Sequence, residues 1–109
     1  MADENVIDTA IEFLDKVSKT SEFVIKFIKR TTGDIRIMRA TLDFRLIPDK
    51  DKPKSVDLKK ILTFIKNNKI LHVYDLDKRG WRSVPLDRVE WLTDNANGVT
   101  YRVSIKGVK

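Results

Sequence analysis

ILHVYDLDKRGWRSVPLDRVEWLTDNANGVTYRVSI, residues 70–105, decides the fold. Short runs rich in β-branched and aromatic residues, 70–76, 81–86 and 99–105, read as strands separated by turn residues. Asp77-Lys78-Arg79-Gly80 turns the first run into the second, and Asn97-Gly98 is a strong two-residue hairpin signal. The last run alternates, with Val99, Tyr101, Val103 and Ile105 inward and Thr100, Arg102 and Ser104 outward. Pro85 inside a strand run implies an edge or a bulge. Residues 87–92 (DRVEWL) read either as a short helical turn or as a strand extension.

Upstream, residues 22–30 (EFVIKFIKR) and 35–42 (IRIMRATL) form a hairpin pattern around Thr31-Thr32-Gly33-Asp34. Phe23, Ile25 and Phe27 define one face of the first strand. Val24 and Ile28 make the other face apolar too, so both faces expect cover. Residues 4–18 carry apolar side chains at helical spacing from Val6 to Val17, with Asp3 as N-cap and Glu4 and Asp8 near the positive end of the dipole. This helix is expected to cover the Val24 and Ile28 face, or to meet a partner. Residues 43–57 read as a solvated loop with two prolines. Ser55 then caps a helix over about 55–68, with Leu58, Ile61, Leu62 and Ile65 on its apolar side. The expected fold is α+β: an N-terminal helix (residues 1–20), then a small five-stranded antiparallel barrel, closed or nearly closed (21–109), with one inserted helix.

Composition narrows the function. In 109 residues there is no cysteine and one histidine, His72. Thiol chemistry, disulfides and zinc fingers are excluded, and any histidine catalysis rests on one side chain. His72 reads as a partly buried strand histidine. Asp75 and Asp77 read as turn chemistry rather than a cation site. Four glycines form no phosphate-cradling pattern. No cofactor is implied, and no enzyme is expected. No apolar run reaches the roughly 20 residues of a membrane helix, and the acidic start argues against a targeting leader. The expectation is a cytoplasmic protein without membrane contact.

Charge is the suggestive feature. The chain carries +6, yet residues 1–20 hold five acids and two bases, so the remainder carries +9. A basic body suits a polyanion. Lys26, Arg36, Arg39, Lys78, Arg79, Arg82 and Arg88 fall on strands or at their ends, with Trp81 beside them as a stacking surface, and form the candidate nucleic-acid-binding set. The competing reading puts Trp81 and Tyr101 in the core and pairs the arginines with Asp43, Asp87 and Glu90, with Asp87-Arg88 as a structural ion pair.

Val73 to Val89 resembles the end of WYL-type domains, which are small Sm-like, Src-homology-three-like barrels. Arg82, Val84, Asp87, Arg88 and Val89 stand where that family has an arginine, an aromatic residue and Asp-Arg-Ile. Leu71-His72-Val73 stands at the place of its Trp-Tyr-Leu triplet. The phrase from Asp75 to Ser83 is similar to compact WYL-like proteins of tailed bacteriophages, and the likeness spans about residues 22–105. The resemblance implies nucleotide or nucleic-acid sensing and transcription regulation. The resulting expectation is a phage-encoded accessory or regulatory protein that binds DNA or RNA in the host cytoplasm, with a homodimer contact open to it. The alternative is a protein-interaction module that binds and modulates a host enzyme.

Overall fold

The computed structural model describes residues 5–53 and 57–105. Asp3, Glu4 and Ser55, which the sequence assigns to helix starts, lie outside them. The elements are β1 (Val6–Ile7), α1 (Ala10–Ser18), β2 (Phe23–Ile28), β3 (Ile35–Thr41), α2 (Leu58–Asn68), β4 (Ile70–Asp75), β5 (Gly80–Pro85), β6 (Val89–Asp94) and β7 (Val99–Val103).

One sheet holds seven strands in the order β1-β7-β6-β2-β3-β4-β5, and it does not close. The expected five-stranded barrel is corrected at three points. Val6 and Ile7, read as the start of the helix, instead form a short parallel strand on β7, with Arg102 N–H donating to Asn5 O and Ser104 N–H to Ile7 O. Two adjacent β-branched residues suit an extended backbone. The helix then starts at Ala10, where Thr9 Oγ1 accepts from Glu12 N–H at 3.1 Å. Residues 87–92 are both things the sequence left open: a 3-10 turn at Leu86–Arg88, then the full strand β6. Finally, β3 and β4 share only the pairs Ala40↔Asp75 and Thr41↔Tyr74. Because β4 ends at Asp75, no strand pairs with Ile35–Met38 on the edge away from β2, and the sheet gapes there. Beyond the gap β5 comes back near β2 without pairing to it. The second helix starts at Leu58, capped by Asp57, which accepts from Lys59 and Lys60 N–H.

Antiparallel register sorts every strand residue onto one of two faces. On the inner face lie Phe23, Ile25 and Phe27 with Met38, Ala40, Val89 and Leu92. They form one buried cluster with Phe13 and Val17 of α1 and Ile65 of α2. The expectation that α1 covers Val24 and Ile28 is therefore corrected. Val24 and Ile28 are half-buried and belong to the outer face, outside the cluster that Phe13 and Val17 of α1 join. The outer face of β3 is open as well, with Ile35 63% and Ile37 61% exposed. The 43–57 loop is less solvated than its composition suggests: Ile47 is buried, and Asp51 accepts from the Tyr74 hydroxyl at 2.7 Å. Burial and this donated bond raise the Tyr74 phenol above its ordinary value.

Three hairpins turn in the same way. Gly33 N–H donates to Lys29 O, Arg79 N–H to Asp75 O, and Gly98 N–H to Asp94 O, at 2.8–2.9 Å. Each closes a four-residue loop, so Asn97-Gly98 is the end of a longer turn and not a two-residue one. Asp94 holds it open by accepting from Ala96 N–H and from Thr20 Oγ1. The donor residue is left-handed every time: Gly33 at φ 77°, Gly98 at φ 74° and Arg79 at φ 57°. Gly80, which the sequence places in the turn, is one position late and begins β5. A side chain in the left-handed region costs about 1–2 kcal/mol. Arg79→Gly is therefore expected to stabilise the fold by about 0.5–1 kcal/mol after the entropy that glycine loses on folding. A chemical-denaturation midpoint that fails to rise would show that Arg79 makes compensating contacts.

Candidate functional site

The gape between β3 and β5 is a groove of about 550 Å³ on the inner side of the sheet. Its cations are Lys29, Arg30, Arg36, Lys78 and Arg82. Its floor is apolar, made by Phe27, Met38, Ile70 and Pro85, and the Thr31 and Ser83 hydroxyls lie among the lining. The arrangement follows from the strands. Phe27 pairs with Arg36 on the inner face, and Val73 pairs with Arg82 there. Because β4 does not run alongside the start of β3, these inner-face arginines meet an opening instead of a neighbouring strand.

Asp75 organises the groove. Its side chain is 2% exposed. One carboxylate oxygen accepts from Asp77 N–H and Lys78 N–H, both at 3.0 Å, which shapes the turn as the sequence suggests. The other faces the Arg36 guanidinium at 3.4 Å and Arg82 Nε at 3.9 Å. One buried negative charge thus orients two arginines from different strands. Arg30 is held too: it pairs with Asp87 at 2.7 Å and donates to Asn68 O at the α2 C-terminus. Among the described residues Lys29 and Lys78 have no ion-pair partner. Five cations thus face two carboxylates, and the groove is net positive. Guanidinium forks, ammonium groups and an apolar floor suit an anionic ligand with a flat or apolar part.

Of the residues singled out from sequence, the groove gathers Arg36, Lys78 and Arg82. Arg79 stands beside them in the turn. Arg88 is exposed in the 3-10 turn before β6, and its expected partner Asp87 is held by Arg30 instead. Lys26 and Arg39 point the other way, onto the outer face. There Lys26 pairs with Glu90 at 3.1 Å, and Arg39 with Glu22 and Asp77. Hydrogen bonds to Asp77 and Glu22 raise the Arg39 pKa further. Trp81 lies outside the groove: its Nε1–H donates to Asp51 O at 2.7 Å, and its ring meets Tyr74 edge-on, so it anchors the 43–57 loop. His72 is exposed and stacks on Phe64, which corrects the partly buried reading.

Lys29 and Arg30 are groove residues that the charge pattern did not single out. Their signal was present as two adjacent bases at the exit of an apolar strand, a position that puts side chains at the rim of a sheet. Among the described residues no three His, Asp or Glu side chains cluster as a metal site. Among the same residues no helix is long and apolar enough to cross a membrane.

No curated protein and no solved structure matches the chain. A family model, WYL_2, described as an Sm-like SH3 beta-barrel fold, matches residues 11–89. That span takes in α1, which the resemblance left outside, and it ends on Asp87-Arg88-Val89 at the start of β6. The bent sheet, the arginines at its open end and a family match over most of the chain agree: the chain belongs to the WYL_2 family of Sm-like SH3 beta-barrels.

Proposed function

We propose that this protein is an accessory or regulatory protein that binds nucleic acid through the groove between β3 and β5. The observation that carries the reading is the set of five cations over an apolar floor, two of them oriented by buried Asp75. Phosphates supply the anions that such a set attracts, and a base supplies the flat surface that Met38 and Pro85 can meet. The likeness of Asp75–Ser83 to compact bacteriophage proteins supports a phage-encoded regulator acting in the host cytoplasm.

The test is a titration of labelled single-stranded DNA, duplex DNA and RNA at two salt concentrations. Lys29→Ala/Lys78→Ala is the informative variant, because neither side chain is tied into an ion pair among the described residues. It should weaken binding at low salt and reduce the log–log salt slope by about one unit for each phosphate it no longer neutralises. Its thermal stability should stay within about 0.5 kcal/mol of the parent. Lys26→Ala, on the outer face, should bind like the parent. If neither DNA nor RNA binds at low salt, the reading gives way to a protein-interaction module.

A further inference from the structure

The outer face of the sheet, opposite the groove, has different chemistry. It presents Ile35 and Ile37 as an exposed aliphatic ridge on β3, with Val24 and Ile28 of β2 half-buried beside them. Across β2 lies a shallow depression beside Trp91, lined also by Thr93, Thr100 and Arg102. Lys26 and Arg39 on this face are already paired with acids. Most of its charge is therefore compensated, while the groove side of the same chain is not.

We propose that this face is the contact between two copies of the chain, packed sheet on sheet. Three observations carry it. First, a chain of net charge +6 repels its own copy unless they meet where charge is compensated, and the outer face has its lysine and one of its arginines held by Glu90, Glu22 and Asp77. Second, the relief is self-complementary. Ile37, Lys26 and Trp91 are opposite one another on adjacent strands and form one row across the sheet. A two-fold axis lying along β2 seats Ile37 of one copy over Trp91 of the other, and the reverse, so ridge fills depression twice. Lys26 then stands at the axis, within reach of the Glu90 of either copy. Third, the size fits a weak, transient dimer. Four strands about 4.8 Å apart and five or six residues of about 3.4 Å give roughly 350 Å² per copy, less than half of the roughly 800 Å² per partner of a standard specific contact. A face whose lysine and one arginine are paired within the chain attracts phosphates poorly, which favours a protein occupant over nucleic acid.

The dimer leaves both grooves facing outward, because Arg36 alternates with Ile35 and Ile37 along β3. It does not depend on what the groove binds. Sedimentation equilibrium across a concentration series that reaches about 1 mM should show a monomer–dimer equilibrium with a dissociation constant of roughly 0.1–1 mM. Ile37→Asp should weaken it at least about tenfold by placing a charge against Trp91, with an unchanged circular-dichroism spectrum because Ile37 is exposed. The chain has no cysteine, so geometry can be read directly. Ile37→Cys mixed with Trp91→Cys should give the mixed pair with a thiol-reactive cross-linker of about 10 Å, the spacing of stacked sheets, in preference to either self-linked pair. A parent chain that stays monomeric throughout the series overturns the proposal, whether the face is bare or meets another protein. So does a dimer unaffected by Ile37→Asp, or preferential Ile37→Cys self-linking, which would place β3 against β3.

Discussion

Phe13→Ala is expected to destabilise the protein by about 3–5 kcal/mol, the usual range for truncating a fully buried aromatic side chain. Phe13 is 0% exposed and shares one buried cluster with Phe23, Ile25 and Phe27. The melting temperature should fall by roughly 15 °C or more, given about 4–8 °C per kcal/mol in a domain of this size. Ile11→Ala on the same helix is the control: Ile11 is 62% exposed and should change stability by no more than about 0.5 kcal/mol. The contrast asks whether α1 belongs to this core or waits for a partner. Equal effects of the two substitutions would favour the partner.

The second large effect is expected at Asp75. Asp75→Ala removes the acceptor for two backbone N–H groups of the 76–79 turn and the shared counter-charge of Arg36 and Arg82. Breaking a buried charge pair from one side costs about 3–5 kcal/mol. Arg36 and Arg82 keep 22% and 41% of their side-chain surface exposed, so water recovers part of this and the expected loss is about 2–3 kcal/mol. Asp75→Asn separates the two roles. Its amide oxygen can still accept from the turn, so it should lose less stability than Asp75→Ala while leaving both arginines without an anchor. Urea denaturation of the two variants measures the difference. An Asp75→Ala midpoint equal to that of the parent would mean that the turn and the arginines hold themselves.

The parts of the fold legible in the sequence are those with local causes. The alternation of Val99 to Ile105, the apolar face of Phe23, Ile25 and Phe27, and the hairpin around Gly33 all follow from period-two patterning and turn chemistry. Long-range competition decided the rest. Val6 and Ile7 fit a helical stripe as well as a strand, and only the free edge of β7, almost a hundred residues on, makes them a strand. Val24 and Ile28 looked as if they needed a cover, but a half-open sheet face tolerates scattered aliphatic side chains. The candidate site was legible as charge and not as geometry. Lys26, Arg36 and Arg39 look equivalent as strand bases, yet the pairing of Phe27 with Arg36 turns Arg36 inward and leaves Lys26 and Arg39 on the far side. Arg30 was visible as a base beside Lys29, but not its anchoring: its partners Asp87 and Asn68 are 57 and 38 positions away.

The parallel pairing of Val6–Ile7 with Arg102–Val103 also sets the order of events during synthesis. A ribosome delivers β1 long before its neighbour β7. Until residues 99–103 emerge, Ile7 has no edge to join, and the segment that leads into α1 is not held in place. A nascent chain thereby keeps this pairing open until β7 is made, with apolar surface that chaperones can grip. The same closeness of early and late residues makes the fold a candidate for circular permutation. A short linker from Ile105 back to Asn5, with new termini opened in the exposed 30–33 turn, should preserve the fold.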